Sequence, residues 1–170
     1  MLIKKESNVF NHNAHKYDQW YDKYHWIYQS ELFAIERLLP RRTNAVEIGV
    51  GTGRFAGPFG IRTGLDPSGN MLKLAELRNI NVVQGVAEEL PFCDESFNLV
   101  LMVFSICFLK DIAKSFKEIY RILRSGGEFV IGFIDKLSHL GRQYEKEKET
   151  SVFLTAANFY TPEELTVGEG

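Results

Sequence analysis

Between Ala45 and Phe133, short apolar segments of strand length alternate with segments whose apolar residues recur at helical spacing. Phe97 to Phe104 is apolar at almost every position, which is typical of a strand that is covered on both faces. Strands that alternate with helices pair in parallel through right-handed crossovers. The sequence therefore predicts a doubly wound α/β sheet with mostly parallel strands. The strand candidates are Ala45–Ile48, Thr63–Leu65, Asn81–Gln84, Phe97–Phe104 and Glu128–Phe133.

The helical segments can be placed around these strands. From about Asn8 to Leu39 the apolar residues follow helical spacing and Pro40 ends the segment, so we expect an N-terminal helical cap. Gly69 to Arg78 and Asp111 to Leu123 are predicted helices between strands, and Ser125-Gly126-Gly127 is expected to stop the second one.

The end of the chain is less regular than its middle. Thr161 as N-cap and Pro162 at the first helical position predict a last helix, whereas Thr166 to Gly170 fits neither helix nor strand. We expect one domain, 1–170, that consists of a cap at 1–40, an α/β core at 41–135 and an incomplete C-terminal part at 136–170.

Composition excludes several classes of protein. The chain has 170 residues and a net charge of −2, so it can form one domain but lacks the basic excess of a nucleic-acid binder. Its two cysteines, Cys93 and Cys107, form no CxxC pair, and no apolar run approaches the roughly 18 residues of a membrane span. We expect a cytoplasmic protein without a metal site, nucleic-acid partner or stable membrane insertion, and its oligomeric state stays open.

A glycine-rich turn follows the first predicted strand. Gly49-Val50-Gly51-Thr52-Gly53 would let the backbone turn sharply and let a ligand lie directly against it. In doubly wound sheets, ligands bind in the crevice at the carboxyl ends of the strands. An isolated pattern of this kind also occurs in an ordinary tight β–α turn, so it is weak by itself.

A carboxylate at the next strand strengthens this interpretation. Asp66 directly follows the second predicted strand, where a carboxylate can accept hydrogen bonds from both hydroxyls of a ribose. Turn chemistry alone also favours an aspartate before Pro67 at the start of a helix. Together with the glycines, Asp66 predicts a nucleoside site.

Five ordered motifs resemble those of class I S-adenosylmethionine-dependent methyltransferases. The resemblance is to the small-molecule group that includes the ubiquinone/menaquinone-biosynthesis enzymes (methyltransferase type 11-like), and it covers roughly Tyr17 to Leu165. It implies a Rossmann-like sheet in the class I methyltransferase order, whose final strands are missing here through truncation or divergence. The motifs are Glu47-Ile48-Gly49-Val50-Gly51-Thr52-Gly53, Gly64-Leu65-Asp66-Pro67-Ser68, Glu88-Glu89-Leu90-Pro91-Phe92, Ser96-Phe97-Asn98-Leu99-Val100 and Tyr120-Arg121-Ile122-Leu123-Arg124-Ser125-Gly126-Gly127.

The resemblance also implies the cofactor and its contacts. S-adenosylmethionine would be the cofactor, a small molecule would be the methyl acceptor, and no particular residue is implied as a catalytic base. The implied cofactor contacts are Glu47 at the amino-acid end; Gly49, Gly51 and Gly53 along the backbone; Asp66 at the ribose; Pro67, Met71, Ala87 and Glu88 around the adenine; Met102 and Val103 on the methionine side; and Tyr17 from the cap.

Two departures from the family pattern keep alternatives open. Relatives usually have an aspartate where Val86 stands, and they often have histidines at the places of Cys107 and Phe108. Val86 and the missing final strands make a non-catalytic S-adenosylmethionine-binding paralogue an alternative. An NAD(P)-dependent oxidoreductase is a weaker one, since its fingerprint needs a small residue where Arg54 stands.

The cap is rich in aromatic residues and allows two interpretations. Tyr17, Trp20, Tyr21 and Tyr24 could embrace a flat or cationic acceptor, or they could be ordinary core contacts.

Overall fold

A computed structural model of the chain describes residues 9–40 and 44–166. The predicted helix start at Asn8 and the terminal residues 167–170 lie outside the described residues.

The described strands form one parallel sheet in the order β3-β2-β1-β4-β5. The predicted fold class is confirmed. Because the chain runs outward from β1 in one direction and then returns to its other side, β1 and β4 form the switch point where α/β sheets bind ligands. The strands are β1 Ala45–Ile48, β2 Thr63–Asp66, β3 Asn81–Gln84, β4 Phe97–Val103 and β5 Leu123–Gly132.

Helices lie where the sequence predicts them, in the cap, after β2, before β5 and after Thr161, and two further helices follow β1 and β5. They are α1 Ala14–Lys23, α2 His25–Glu36, α3 Ala56–Phe59, α4 Gly69–Glu76, α5 Ile112–Ile122, α6 His139–Glu147 and α7 Pro162–Thr166, and a 3₁₀ turn spans Ile106–Phe108. Asp111 caps α5, since its Oδ1 accepts from the Lys114 N–H at 2.9 Å, and the predicted cap at Thr161 is confirmed. Thr161 and Glu164 form a reciprocal capping box at the start of α7.

The start of β5 differs from the prediction. The strand begins at Leu123 directly after α5, and Phe97 pairs with Leu123 whereas Leu99 pairs with Glu128. The glycine pair therefore lies in a bulge inside the strand, and it does not separate helix from strand as expected. Gly126 has φ +76°, a left-handed conformation that glycine adopts without steric cost.

The core has one apolar layer on each face of the sheet. Leu99, Leu101 and Val103 of β4 face the layer that includes the cap, and Val100 and Met102 face the layer that includes α5. This alternation is the two-residue period of a strand. The cap contributes Tyr21, Tyr28 and Ile35 to the first layer.

The packing around Gly64 of β2 yields a stability prediction. A Cβ at Gly64 would lie 2.7 Å from Val50 Cγ2, so Gly64→Ala should lower the free energy of unfolding by about 1–3 kcal/mol through overpacking. At Gly57 of α3 the nearest atom, in Arg78, is 3.6 Å away, so Gly57→Ala should be neutral or stabilise by up to about 1 kcal/mol. Urea unfolding measures both, and equal stabilities of the two variants would contradict this packing.

Candidate cofactor site

An open cleft of about 320 Å³ lies at the carboxyl ends of β1, β2 and β4. This is the edge of the sheet at which the order of the strands reverses. Apolar side chains form most of its walls, and a few polar groups lie among them, as in small-molecule sites generally.

The three glycines after β1 have left-handed backbones, with φ of +75° at Gly49, +52° at Gly51 and +82° at Gly53. Each is required for a different reason. A side chain at Gly49 would collide with Ser105, and one at Gly53 would lie 2.5 Å from Ile80 Cδ1. A Cβ at Gly51 would have no atom within 4 Å, and Gly51 lines the cleft, so its missing side chain leaves room for a ligand.

Asp66 stands opposite this turn at the end of β2. Its Oδ2 accepts from the Gly51 N–H at 3.0 Å, and its Oδ1 accepts from the Ser68 N–H at 2.8 Å. Burial raises the pKa of Asp66 to about 6, although the hydrogen bonds from Ser68 and Gly51 act in the opposite direction. The cleft thus has a carboxylate with two backbone donors at its wall.

Ten of the twelve residues proposed from the resemblance line the cleft. They are Tyr17, Gly49, Gly51, Asp66, Pro67, Met71, Ala87, Glu88, Met102 and Val103. Their roles toward a cofactor stay predictions, but the structure brings these residues together from the cap, three strand ends and two loops.

Glu47 and Gly53 do not line the cleft. Glu47 is buried, and its Oε2 accepts from the Ala56 N–H at 2.7 Å at the start of α3. Burial raises the pKa of Glu47 well above its ordinary value. Gly53 makes room for Ile80 and Ala75 instead of a ligand. Both residues hold the turn in shape, and a contact of Glu47 with the cofactor stays a prediction.

Several cleft residues were absent from the sequence prediction. The ring of Phe10 lies 5.7 Å from that of Tyr17 and 5.0 Å from that of Phe108, so these rings close one wall together. Ser105 follows β4, and its hydroxyl donates to the Ile48 carbonyl at 3.1 Å. No local pattern marks such residues, because tertiary packing alone brings them to the cleft.

The loop after β3 is joined to the start of α5. Glu88 Oε1 accepts from the Lys110 N–H at 2.8 Å. Val86, where relatives have an aspartate, also lines the cleft. This wall therefore combines the apolar side chain of Val86 with the charged residues Glu88 and Lys110.

Arg54 joins the cap to the glycine turn. Its guanidinium donates to both carboxylate oxygens of Asp18, at 2.8 and 2.7 Å, and to Asp22 at 2.9 Å. Arg78 adds a contact to Asp18 at 3.0 Å. Burial alone would raise the pKa of Asp18, but the hydrogen bonds from Arg54 and Arg78 are stronger and lower it to about 2. The Arg54 side chain thus points toward the cap. Gly53, not Arg54, allows the turn to pack closely against Ile80 and Ala75.

Two features are absent from the described ranges, 9–40 and 44–166. No three histidine, cysteine or acidic side chains are grouped as a metal site would need. Of the helices in these ranges, none is both long and apolar enough to cross a membrane.

The ion-pair cluster predicts an asymmetry between two aspartates that share one arginine. Asp18→Ala should lower the free energy of unfolding by about 1–3 kcal/mol, because the Asp18 side chain is only 17% exposed and its loss removes the carboxylate that Arg54 and Arg78 share. Asp22→Ala should cost at most about 1 kcal/mol, since Asp22 is 67% exposed. Urea unfolding at neutral pH measures the difference.

The same cluster sets a pH dependence. Because the folded state lowers the pKa of Asp18 from 3.8 to about 2, its stabilising effect is present above pH 3.8 and is lost as pH falls toward 2. The difference in free energy of unfolding between the parent and Asp18→Ala should therefore become smaller as pH falls from 3.8 toward 2. Equal losses of stability in Asp18→Ala and Asp22→Ala at neutral pH would contradict the role of the cluster.

Comparison with known proteins agrees with this geometry. The family model described as a methyltransferase domain matches residues 46–131. An uncharacterized protein of Methanocaldococcus jannaschii is 44% identical over 158 residues, which are 93% of this chain and 77% of that protein. The demethylmenaquinone methyltransferase of Listeria welshimeri is 32% identical over 143 residues, and the chain spans only 60% of its length.

A solved structure extends the likeness to nearly the whole chain. The crystal structure of a SAM-dependent methyltransferase, possible histamine N-methyltransferase, from Thermotoga maritima has a TM-score of 0.91 and 46% identity. The match covers 95% of this chain and 77% of that one. The chain therefore belongs to the methyltransferase domain family of S-adenosylmethionine-dependent methyltransferases.

Proposed function

We propose that the chain binds S-adenosylmethionine in the cleft and transfers its methyl group to a small-molecule acceptor. One observation carries the proposal. Gly51 has open space where a side chain would stand. Its backbone nitrogen lies 3.0 Å from Asp66 Oδ2 at the end of the neighbouring strand. Backbone without a side chain next to a carboxylate suits a nucleoside that lies flat on the turn.

The residues of the cleft fit this cofactor. A volume of about 320 Å³ is within the usual range of small-molecule sites. The Asp66 carboxylate would accept from the ribose hydroxyls, and Pro67, Met71 and Ala87 would pack around the adenine. Valine at position 86 cannot accept from the adenine amino group, so backbone groups around Ala87 would recognise it.

The methionine end would lie toward β4 and the cap. Met102 and Val103 line this side of the cleft, and Tyr17 closes it from α1. Burial raises the pKa of Tyr17 to about 12, so its hydroxyl is neutral at physiological pH. Tyr17 would therefore act as a wall and a hydrogen-bonding group, not as a base.

When bound, S-adenosylmethionine supplies a sulfonium methyl group that is already activated for displacement. The protein then has to align the acceptor with that methyl group and exclude water, which lowers a barrier by about 7–11 kcal/mol at most. The aromatic wall of Phe10, Tyr17 and Phe108 excludes water from one side. A general base would add a further factor of about 10² to 10⁴, and it is not required for the reaction.

The comparisons leave the acceptor open. One relative is named as a possible histamine N-methyltransferase and another as a demethylmenaquinone methyltransferase, so the two names give different acceptors. We therefore propose a small molecule as the acceptor. We also propose that the chain forms a single domain, which consists of the cap at 1–40, the cofactor-binding core at 41–135 and the C-terminal part at 136–170.

A pair of glycines separates loss of binding from loss of stability. Gly51 and Gly60 both have positive φ, and a Cβ at either one would meet no atom within 4 Å, but only Gly51 lines the cleft. Valine should strain both backbones by about 1–3 kcal/mol. Only Gly51→Val should also weaken S-adenosylmethionine binding, by roughly 100-fold or more (about 2.7 kcal/mol).

Isothermal titration calorimetry measures the affinities, and thermal unfolding confirms that both variants are folded. If Gly51→Val bound the cofactor as tightly as Gly60→Val does, the site would be assigned wrongly. Cofactor binding by the parent without methyl transfer to any acceptor of a panel would favour the non-catalytic paralogue.

A further inference from the structure

Glu31 is a carboxylate on the inward face of α2. Tyr28, three residues before it, and Ile35, four residues after it, are both buried, and this spacing places all three on one side of the helix. The Oε2 atom of Glu31 is buried and has no hydrogen-bond partner among the residues that the structure describes. A buried acceptor without a partner costs about 1–3 kcal/mol, so its presence calls for a functional explanation.

Three tyrosines lie within electrostatic reach of this carboxylate. Tyr17 and Tyr21 of α1 and Tyr144 of α6 all lie close enough for the Glu31 charge to raise their pKa values, in each case as an addition to the larger effect of burial. None of the ion pairs between described residues involves Glu31. Burial raises the pKa of Glu31 to about 7, and no basic group opposes this rise.

This region adjoins the methionine side of the cofactor cleft. Tyr17 lines the cleft, and its hydroxyl is 3.0 Å from the hydroxyl of Tyr21. Val103, at the end of β4, also lines the cleft. A Cβ at Gly132 would lie 3.4 Å from Val103 and 3.6 Å from Ile35, so α2 and the cleft wall meet at this point. Glu31 is one helical turn from Ile35.

We propose that Glu31, Tyr17, Tyr21 and Tyr144 form the acceptor subsite, and that the acceptor carries a protonated amine that pairs with the Glu31 carboxylate. This inference rests on the proposed function and names its substrate class. A cation would give the partly buried carboxylate a charge-assisted hydrogen bond, and the faces of the tyrosine rings attract a positive charge. A neutral acceptor without a hydrogen-bond donor, such as a quinone, would leave the carboxylate without a partner.

The assigned role is recognition. A protonated amine has no free electron pair, so the group that pairs with Glu31 cannot attack the methyl group while it is protonated. Glu31 therefore selects and orients the acceptor, and it is not assigned a part in the transfer step.

The test compares an amine with a neutral molecule of the same shape. The probes are 2-phenylethylamine and 2-phenylethanol, and calorimetry measures their binding to the parent, to Glu31→Gln and to Glu36→Gln. Glu36 ends the same helix and is exposed, so its variant is the matched control. We expect the parent and Glu36→Gln to bind the amine at least tenfold more tightly than the alcohol, and Glu31→Gln to lose that preference.

One further measurement separates failure of the proposed function from failure of the subsite. S-adenosylmethionine affinity is measured on the same three proteins: absence of binding to the parent would overturn the proposed function, whereas the amine preference tests the acceptor subsite by itself. Equal binding of amine and alcohol by the parent, binding of neither, or an unchanged preference in Glu31→Gln would overturn the subsite.

If Glu31→Gln does not fold, the pH dependence of the parent decides. The amine preference should decrease as pH falls below about 7, where Glu31 becomes protonated. The facing groups Tyr17, Tyr21 and Tyr144 stay neutral there, because burial raises the pKa of each. A preference that does not change between pH 8 and pH 5 would overturn the proposal.

Discussion

The hydrogen bond from the Gly51 N–H to Asp66 Oδ2 joins the ends of β1 and β2, and the cleft depends on it. It exists because Gly51 adopts φ +52°, a conformation that aims its N–H at the neighbouring strand end and leaves its other side open. The bond holds the carboxylate in a buried position at the cleft wall, and burial raises the pKa of Asp66 to about 6. The turn and the carboxylate thus form one unit, which neither residue could provide alone.

The cap is coupled to this unit through consecutive residues of α1. Tyr17 lines the cleft, and Asp18 pairs with Arg54, which directly follows Gly53. The Tyr28 hydroxyl of α2 donates to the Arg54 carbonyl and so adds a second connection between cap and turn. A change in the position of the cap would therefore change both the shape of the glycine turn and the cleft wall that Tyr17 forms.

The sequence predicts those features that local patterns determine. The sequence predicts the five strands, the glycine turn and Asp66, because each of these features produces a recognisable pattern within a few residues. The patterns are strand periodicity, clustered glycines and a carboxylate at a strand end. The bulge at Gly126 and the wall formed by Phe10 and Phe108 were not predicted, because register and packing between distant segments decide them. Nor does a local pattern identify Glu31, since only the packed helices show that one of its carboxylate oxygens is buried.

The pH dependence of S-adenosylmethionine affinity in the parent and in Asp66→Asn tests the central claim most directly. If the ionised carboxylate holds the ribose, affinity in the parent should fall as pH drops below about 6, approaching about tenfold per pH unit. Asp66→Asn should bind more weakly at neutral pH, by about 1–3 kcal/mol, and should lack this dependence. Equal affinities of parent and variant, or a parent affinity that is constant between pH 8 and pH 5, would contradict the account.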